Sequence, residues 1–238
     1  MTYSSSNKLP PTILLIGASR GLGAAMAVEF VTRGWHVVGT VRGHARTKLH
    51  DLDDEFEGRV EIEQLNVTES DQIKILRERL SGRRLDMLFV NAGTANQNRD
   101  DTLANVSTED FARVMVTNAL APIRVIEAFQ DLVPADGLIG VMSSGQGSIS
   151  NNENGKHDIY RGSKAALNQN MRSYAACHAG DARALVLMAP GWIRTELGGS
   201  NAPFSIEESI PLLVDVLLSQ RGRPGLRYLD RNGHPVPW

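Results

Sequence analysis

A tyrosine and a lysine four residues apart, Tyr160 and Lys164, open a segment with helical spacing. Positions i and i+4 share one face of a helix. A free phenol ionises near pH ~10 and is a poor proton carrier at neutral pH. An ammonium beside it favours the phenolate and draws the group toward the working range. The pair is a candidate for moving a proton to or from an oxygen of a small molecule; the competing reading is an incidental pair on a surface helix. Ser143 and Ser144 close an apolar run upstream. A hydroxyl at the carboxyl end of a parallel strand faces the ligand crevice, where it can hold a carbonyl or alkoxide oxygen. The bland alternative is a polar cap on the strand end.

Gly17, Gly21 and Gly23 lie between an apolar run and a helical stretch. A tight strand-to-helix turn needs glycine, and a pyrophosphate approaching the backbone leaves no room for a Cβ. The helix that follows offers free N–H groups and the positive end of its dipole. An acidic residue at the end of the second apolar run would bind ribose hydroxyls and favour NAD. The chain has Thr40, Val41 and Arg42 there. Arg42, with Arg20 from the glycine turn nearby, suits a 2′-phosphate and so NADP. Solvated surface charge is the alternative for both arginines.

These residues must be positioned by a scaffold, and the patterning supplies one. Apolar runs predict strands at 12–17, 36–41, 60–65, 86–90, 138–142, 184–188 and 226–229. Helical spacing predicts helices at 22–33, 47–57, 70–80, 108–117, 119–132, 159–178 and 206–218. Wholly apolar strands alternating with helices describe a parallel sheet covered on both faces, joined by right-handed crossovers. The expected fold is α/β, a doubly wound parallel sheet of Rossmann type, in one domain over 1–238 with a tail at 1–11. A length of 238 residues fits one domain. A balance of 25 basic against 27 acidic residues gives −2 and points to neither nucleic acid nor membrane. The single cysteine, Cys177, excludes an intrachain disulfide and is expected to pack rather than react. The six histidines show no ligand spacing, so no metal is expected. The start of the chain lacks a charged and apolar leader, and no apolar run nears the ~18 residues that span a bilayer. A soluble cytoplasmic protein is expected.

Taken in order, Gly17, Gly21 and Gly23, then Asn91, Ala92 and Gly93, Asn118, Ser143 and Ser144, Tyr160 and Lys164, and Pro190 with Gly191 resemble the short-chain dehydrogenase/reductase family. The match runs from about Thr12 to the end of the chain. The stretches after Ser143 and after Tyr160, and the ending from Tyr228 to Trp238, look like the C-factor/sniffer-like carbonyl reductase branch. The resemblance implies that Tyr160 is the general acid in reduction and the base in oxidation. Lys164 would lower its pKa and bind the nicotinamide ribose. Ser144 would orient the carbonyl, with Ser143 structural. Asn118 would interrupt a helix and hold a water that relays protons to Lys164. Gly17, Ser19, Arg20, Gly21, Leu22, Gly23 and Arg42 would hold the pyrophosphate and adenosine phosphate. Asn91, Ala92 and Gly93 would line the adenosine side, and Pro190, Gly191, Ile193 and Thr195 would cover the carboxamide. A homodimer or homotetramer is the family's expectation.

Two positions depart from the family's usual pattern. Ser144 and Tyr160 are sixteen residues apart, a long gap filled by a loop at 151–157 that would border the substrate. Asn66 with Val67 replaces the usual Asp-Val after the third strand, and Asn66 can still take the adenine amino group on its carbonyl. His157 either borders the substrate or is a loop histidine without a role. Trp192 and Phe204 flank Gly198 and Gly199, reading as a lid with glycine hinges or as core aromatics on a loop. The function these residues imply is hydride transfer between NADPH and a carbonyl or secondary alcohol. The alternatives are an NADP-binding regulator or scaffold on the same fold, and epimerisation or dehydration at the same site.

Overall fold

The computed structural model describes residues 9–98 and 101–238. Most of the expected tail, residues 1–8, lies outside them. Seven strands are present: β1 (Thr12–Ile16), β2 (His36–Val41), β3 (Val60–Gln64), β4 (Met87–Val90), β5 (Leu138–Met142), β6 (Ala184–Ala189) and β7 (Gly225–Asp230). They form one sheet in the order β3-β2-β1-β4-β5-β6-β7, and every pairing is parallel. The helices are α1 (Gly21–Thr32), α2 (Lys48–Glu55), α3 (Ser70–Arg79), α4 (Thr108–Met115), α5 (Ala121–Phe129), α6 (Asp158–Cys177) and α7 (Ile206–Gln220). None is long and apolar enough to cross a membrane.

The unbroken apolar runs follow from covering both faces. Ile13 and Leu15 point to one layer with Met26 and Phe30 of α1, Leu49 of α2, and Leu213 and Leu217 of α7. Leu14 and Ile16 point to the other, with Leu76 of α3, Val125 and Phe129 of α5, and Leu167 and Met171 of α6. Alternate side chains enter opposite layers, so a strand buried on both faces has no polar positions to spare.

The two helices expected at 108–117 and 119–132 are one continuous rod. A π-helical turn over Val116–Leu120 carries α4 into α5, with Ala121 N–H bonded back to Val116 O. Asn118 sits in that turn. Its side chain bonds outside the helix, and such turns gather at functional positions. The order of strands reverses between β1 and β4, so the loops after those two strands part and leave a crevice at the carboxyl edge.

The glycine turn between β1 and α1 is built by close contact. A Cβ on Gly23 would lie 2.0 Å from Gly17 O and 2.6 Å from Asn91 Nδ2. Gly21 has open space around it and a φ of +57°. Gly23→Ala should therefore cost more than Gly21→Ala. We expect ~1–3 kcal/mol for the backbone shift, against about 1 kcal/mol for a left-handed residue. Urea unfolding midpoints of the two variants check the order.

Candidate active site

The crevice is fastened from three strands. Gly17 N–H donates to Thr40 Oγ1 at 2.9 Å, and Ala18 N–H to Thr40 O at 2.8 Å. Asn91, just past β4, donates through Nδ2 to Gly17 O at 2.8 Å. The turn is thus tied to β2 and β4 before the chain enters α1. Arg20 holds the N-cap position of α1 with no side-chain cap, and the first turn carries no acid. The free N–H groups there suit an anion. Ser19 and Leu22 lie half-buried in the same turn. Gly17 leaves no room for a side chain, since its Cβ would meet the Ala92 backbone at 2.9 Å. These features form a cradle that fits a dinucleotide's phosphates.

The arginines separate. Arg42 is exposed just past β2 and makes no ion pair among the described residues. Arg20 reaches across the edge to Glu196, 2.6 Å away, in the segment after β6. Asn66 is committed locally. Its Oδ1 accepts from Thr68 N–H at 3.3 Å and Thr68 Oγ1 at 3.0 Å, while Val67 is buried beside it. Buried Pro190 and exposed Gly191 leave β6, and Ile193 bridges to Phe204. Thr195 Oγ1 accepts from Gly198 N–H at 2.8 Å. A Cβ on Gly198 would sit 1.9 Å from Ile193 O, so this glycine serves close approach. Trp192 is 55% exposed, with Nε1 donating to Gly198 O at 2.7 Å. It is not a core aromatic.

At the other end of the crevice, α6 brings Tyr160 and Lys164 against the end of β5. Lys164 is 3% exposed, and its Nζ donates to Met142 O at 2.8 Å. It lies 5.9 Å from the Tyr160 ring centroid and 3.5 Å from the position of a Gly93 Cβ. Burial lowers its pKa to about 8. Asn118 is wholly buried. Its Oδ1 accepts from Thr94 N–H at 2.8 Å, and its Nδ2 donates to Thr94 O at 2.8 Å and Ser163 Oγ at 2.9 Å. Ser163 Oγ in turn donates to the main-chain Tyr160 O at 2.8 Å. The π-turn, the loop after β4 and the first turn of α6 are thereby locked together.

The two serines differ in kind. Ser143 is buried and donates to Asn168 Oδ1 at 2.6 Å. Ser144 is half-exposed, and its Oγ accepts from Gln146 N–H at 3.1 Å, leaving its own proton to give. His157 sits at the N-cap of α6 with a φ of +55° and its Nδ1 3.2 Å from Gln146 Nε2.

Residue types alone did not single out Thr94, Ser163, Asn168 and Glu196. Asn168 had a signal, since it falls four residues after Lys164 on the same helical face. Glu196 had none. Cys177 corrects an expectation: it is exposed, not packed. The buried stripe of α6 runs through Leu167, Met171 and Tyr174, and His178, stacked on Tyr174 at 4.1 Å, continues it. Cys177 falls beside that stripe.

The burial of Lys164 has a signed consequence for stability. Its ordinary pKa of 10.5 applies in the unfolded chain, against about 8 when folded. Between those values the unfolded chain binds the extra proton, so stability rises with pH across the window and is lost as pH falls through 8. The gain relative to Lys164→Met should reach roughly 3 kcal/mol, at ~1.4 kcal/mol per pKa unit. Urea titrations of both proteins from pH 7 to 10.5 check it; equal slopes would contradict it.

The sequence and fold have close counterparts. The family model described as enoyl-(acyl carrier protein) reductase matches residues 17–210. A Burkholderia multivorans chain described as a short-chain dehydrogenase/reductase with bound NADP is 60% identical, with a TM-score of 0.95 over 96% of this chain and 100% of that one. A carbonyl reductase from Pseudomonas aeruginosa PAO1 in complex with NADP is 33% identical, with a TM-score of 0.89 over 96% and 100%. The C-signal protein of Myxococcus xanthus is 32% identical over 65% of this chain and 93% of its own. The glycine cradle, the π-turn and the Tyr160–Lys164 pair stand on a frame shared over nearly the whole chain, and the protein belongs to the short-chain dehydrogenase/reductase family.

Proposed function

We propose that this protein is an NADPH-dependent carbonyl reductase that interconverts a small carbonyl compound and its secondary alcohol, with Tyr160 as general acid and base. The observation that carries the reading is the convergence at one sheet edge of a buried ammonium, a phenol one helical turn before it and a hydroxyl free to donate. The NADP reported for the Burkholderia and Pseudomonas relatives supports the cofactor. So do the glycine cradle and Arg42, which makes no ion pair among the described residues.

The cofactor, when bound, supplies the hydride. The chain's own work is to handle the proton and the oxygen. In reduction Tyr160 delivers its phenolic proton to the carbonyl oxygen as that oxygen gains charge. Ser144 donates its hydroxyl to the same oxygen. Lys164, held on Met142 O, favours the phenolate that remains and, with the cofactor bound, would offer its other protons to ribose hydroxyls. Asn118 has spent its side chain on Thr94 and Ser163. A relay water at that position would therefore be held by its main chain. Gly17, Ser19, Gly21, Leu22 and Gly23 would receive the pyrophosphate, Arg42 the 2′-phosphate, and Arg20 would join it by leaving Glu196. Asn66 and Val67 would border the adenine, Asn91, Ala92 and Gly93 the adenosine ribose, and Pro190, Gly191, Ile193 and Thr195 the carboxamide. Phe111 and Leu120, left exposed along the α4–α5 rod, support a homodimer or homotetramer, which light scattering would read directly.

NADPH consumption with cyclohexanone tests the reaction class, with 4-nitrobenzaldehyde and phenanthrenequinone as further carbonyl substrates. Tyr160→Phe removes one oxygen and should keep NADPH affinity near wild type while abolishing most reduction. A variant that reduces the best of these compounds at the wild-type rate would rule out Tyr160 as the proton donor.

Cofactor choice is tested separately. Arg42→Asp replaces a charge-assisted bond by repulsion and should cost about 2–4 kcal/mol, or roughly 30- to 1000-fold in NADP affinity. Calorimetry with NADP and NAD reads it, and tighter wild-type binding of NAD would overturn the assignment.

A further inference from the structure

Tyr228 lies on β7, at the far edge of the sheet from the glycine turn, yet its side chain reaches the loop that carries Ser144. It is 3% exposed. Its hydroxyl donates to the main-chain oxygen of Ser144. The same oxygen accepts from Gly147 N–H at 2.8 Å. Ser143 N–H, bonded to Met188 O at 2.8 Å, makes the last main-chain contact between this segment and β6. Beyond it the Ser144 segment is outside the sheet, and the plane of the Ser144–Gly145 peptide is set by those two donors.

The far side of Tyr228 is braced by the end of the chain. Val236 N–H donates to Tyr228 O at 2.9 Å, and Pro235 bridges Leu229, so the last residues fold back along β7. The Trp238 ring packs on that of Tyr228 at 5.5 Å and lies under the Arg172 guanidinium at 4.4 Å. Trp238 O accepts from Ser150 N–H at 2.9 Å and Ser150 Oγ at 2.7 Å. Asn168 Nδ2 donates to Gly147 O at 3.1 Å in between. The loop from Ser144 to Ser150 is therefore gripped at its start by Tyr228, at its middle by Asn168 and at its end by Trp238.

We propose that Tyr228 is a positioning residue for Ser144, its hydroxyl fixing the Ser144 peptide so that the serine side chain is aimed into the crevice, with Trp238 bracing the Tyr228 ring. The proposal rests on the reading of Ser144 as the donor to the carbonyl oxygen. Tyr228 would then act on turnover through the plane of the Ser144 peptide. A buried phenol suits this task, because burial raises its pKa and keeps it a neutral donor at working pH.

The test is a double-mutant cycle with Tyr228→Phe and Ser144→Ala, using the best of the carbonyl compounds above. Tyr228→Phe keeps the ring and its packing on Trp238, and the Ser144 oxygen keeps its bond from Gly147. We expect kcat to fall about tenfold, the scale of one hydrogen bond. NADPH affinity should stay near wild type, and the thermal midpoint should fall by no more than the loss of one hydrogen bond allows. In the Ser144→Ala background the same change should cost nothing further, because no hydroxyl is left to aim. Trp238→Ala should follow the same pattern with a smaller loss. An equal loss from Tyr228→Phe in both backgrounds would make the role merely structural and overturn the proposal. A wild-type rate for Tyr228→Phe beside a slow Ser144→Ala would overturn it alone. A wild-type rate for Ser144→Ala would overturn the reading of Ser144, and this proposal with it.

Discussion

Strands that pair in parallel can be joined only by crossovers, so all seven carboxyl ends leave on the same edge of this sheet. The candidate site residues that follow the strands are found there. The glycine turn follows β1, Arg42 follows β2, Asn91 to Gly93 follow β4, Ser144 follows β5 and Gly191 follows β6. The reversal of strand order between β1 and β4 opens the edge where the glycine turn and the Asn91 loop part. The helices are buried against both faces of the sheet, and only their ends approach this edge. An edge assembled this way brings together segments far apart in sequence, from the glycine turn at position 17 to Gly191 after β6.

The second constraint is that polar groups buried beneath the edge must be satisfied. Lys164, Asn118, Ser143, Ser163 and Asn168 are all buried, and each has a partner at 2.6–3.1 Å. Their bonds cross between elements: the π-turn to the loop after β4, α6 to β5, α6 to the loop after β5. A network of this kind resists the relative movement of the segments it joins. Its cost is visible in Lys164, whose burial makes the ammonium less stable than in water. The fold carries that cost where the ammonium lies 5.9 Å from the Tyr160 ring centroid. In contrast, the ion pairs on the outer surface, such as Arg46 with Asp51 and Asp54, are well exposed and contribute little.

The relatives place these features in a family whose frame is shared closely, with TM-scores of 0.95 and 0.89 for two NADP-bound members. Two further arrangements sit at the rim of the crevice. Arg20 is engaged with Glu196, both largely exposed, so one guanidinium of the glycine turn is already tied to the segment after β6. The segment from Trp192 to Phe204 is closed on itself by the Trp192, Thr195 and Arg194 bonds, with an indole left facing solvent.

Composition, patterning and the glycine turn were enough to read the α/β class, all seven strands and the elements that carry Tyr160, Lys164 and Ser144. The reason is physical: a strand buried on both faces has no freedom to be polar, and a turn at a crevice has no room for a Cβ. The helix pattern around Asn118 was legible as an interruption, but periodicity sees only a lost register and not whether the rod breaks or bulges. Cys177 could not be placed because the last turn of a helix runs past the core, and one residue decides which side faces in. Long-range partners were beyond the sequence altogether. That Arg20 meets Glu196, that Asn118 spends its side chain on Thr94 and Ser163, and that Tyr228 reaches the Ser144 carbonyl depend on which loops the sheet order makes neighbours. The residue types were present in the sequence; their partnerships were decided only when parallel pairing brought the strand ends to one edge.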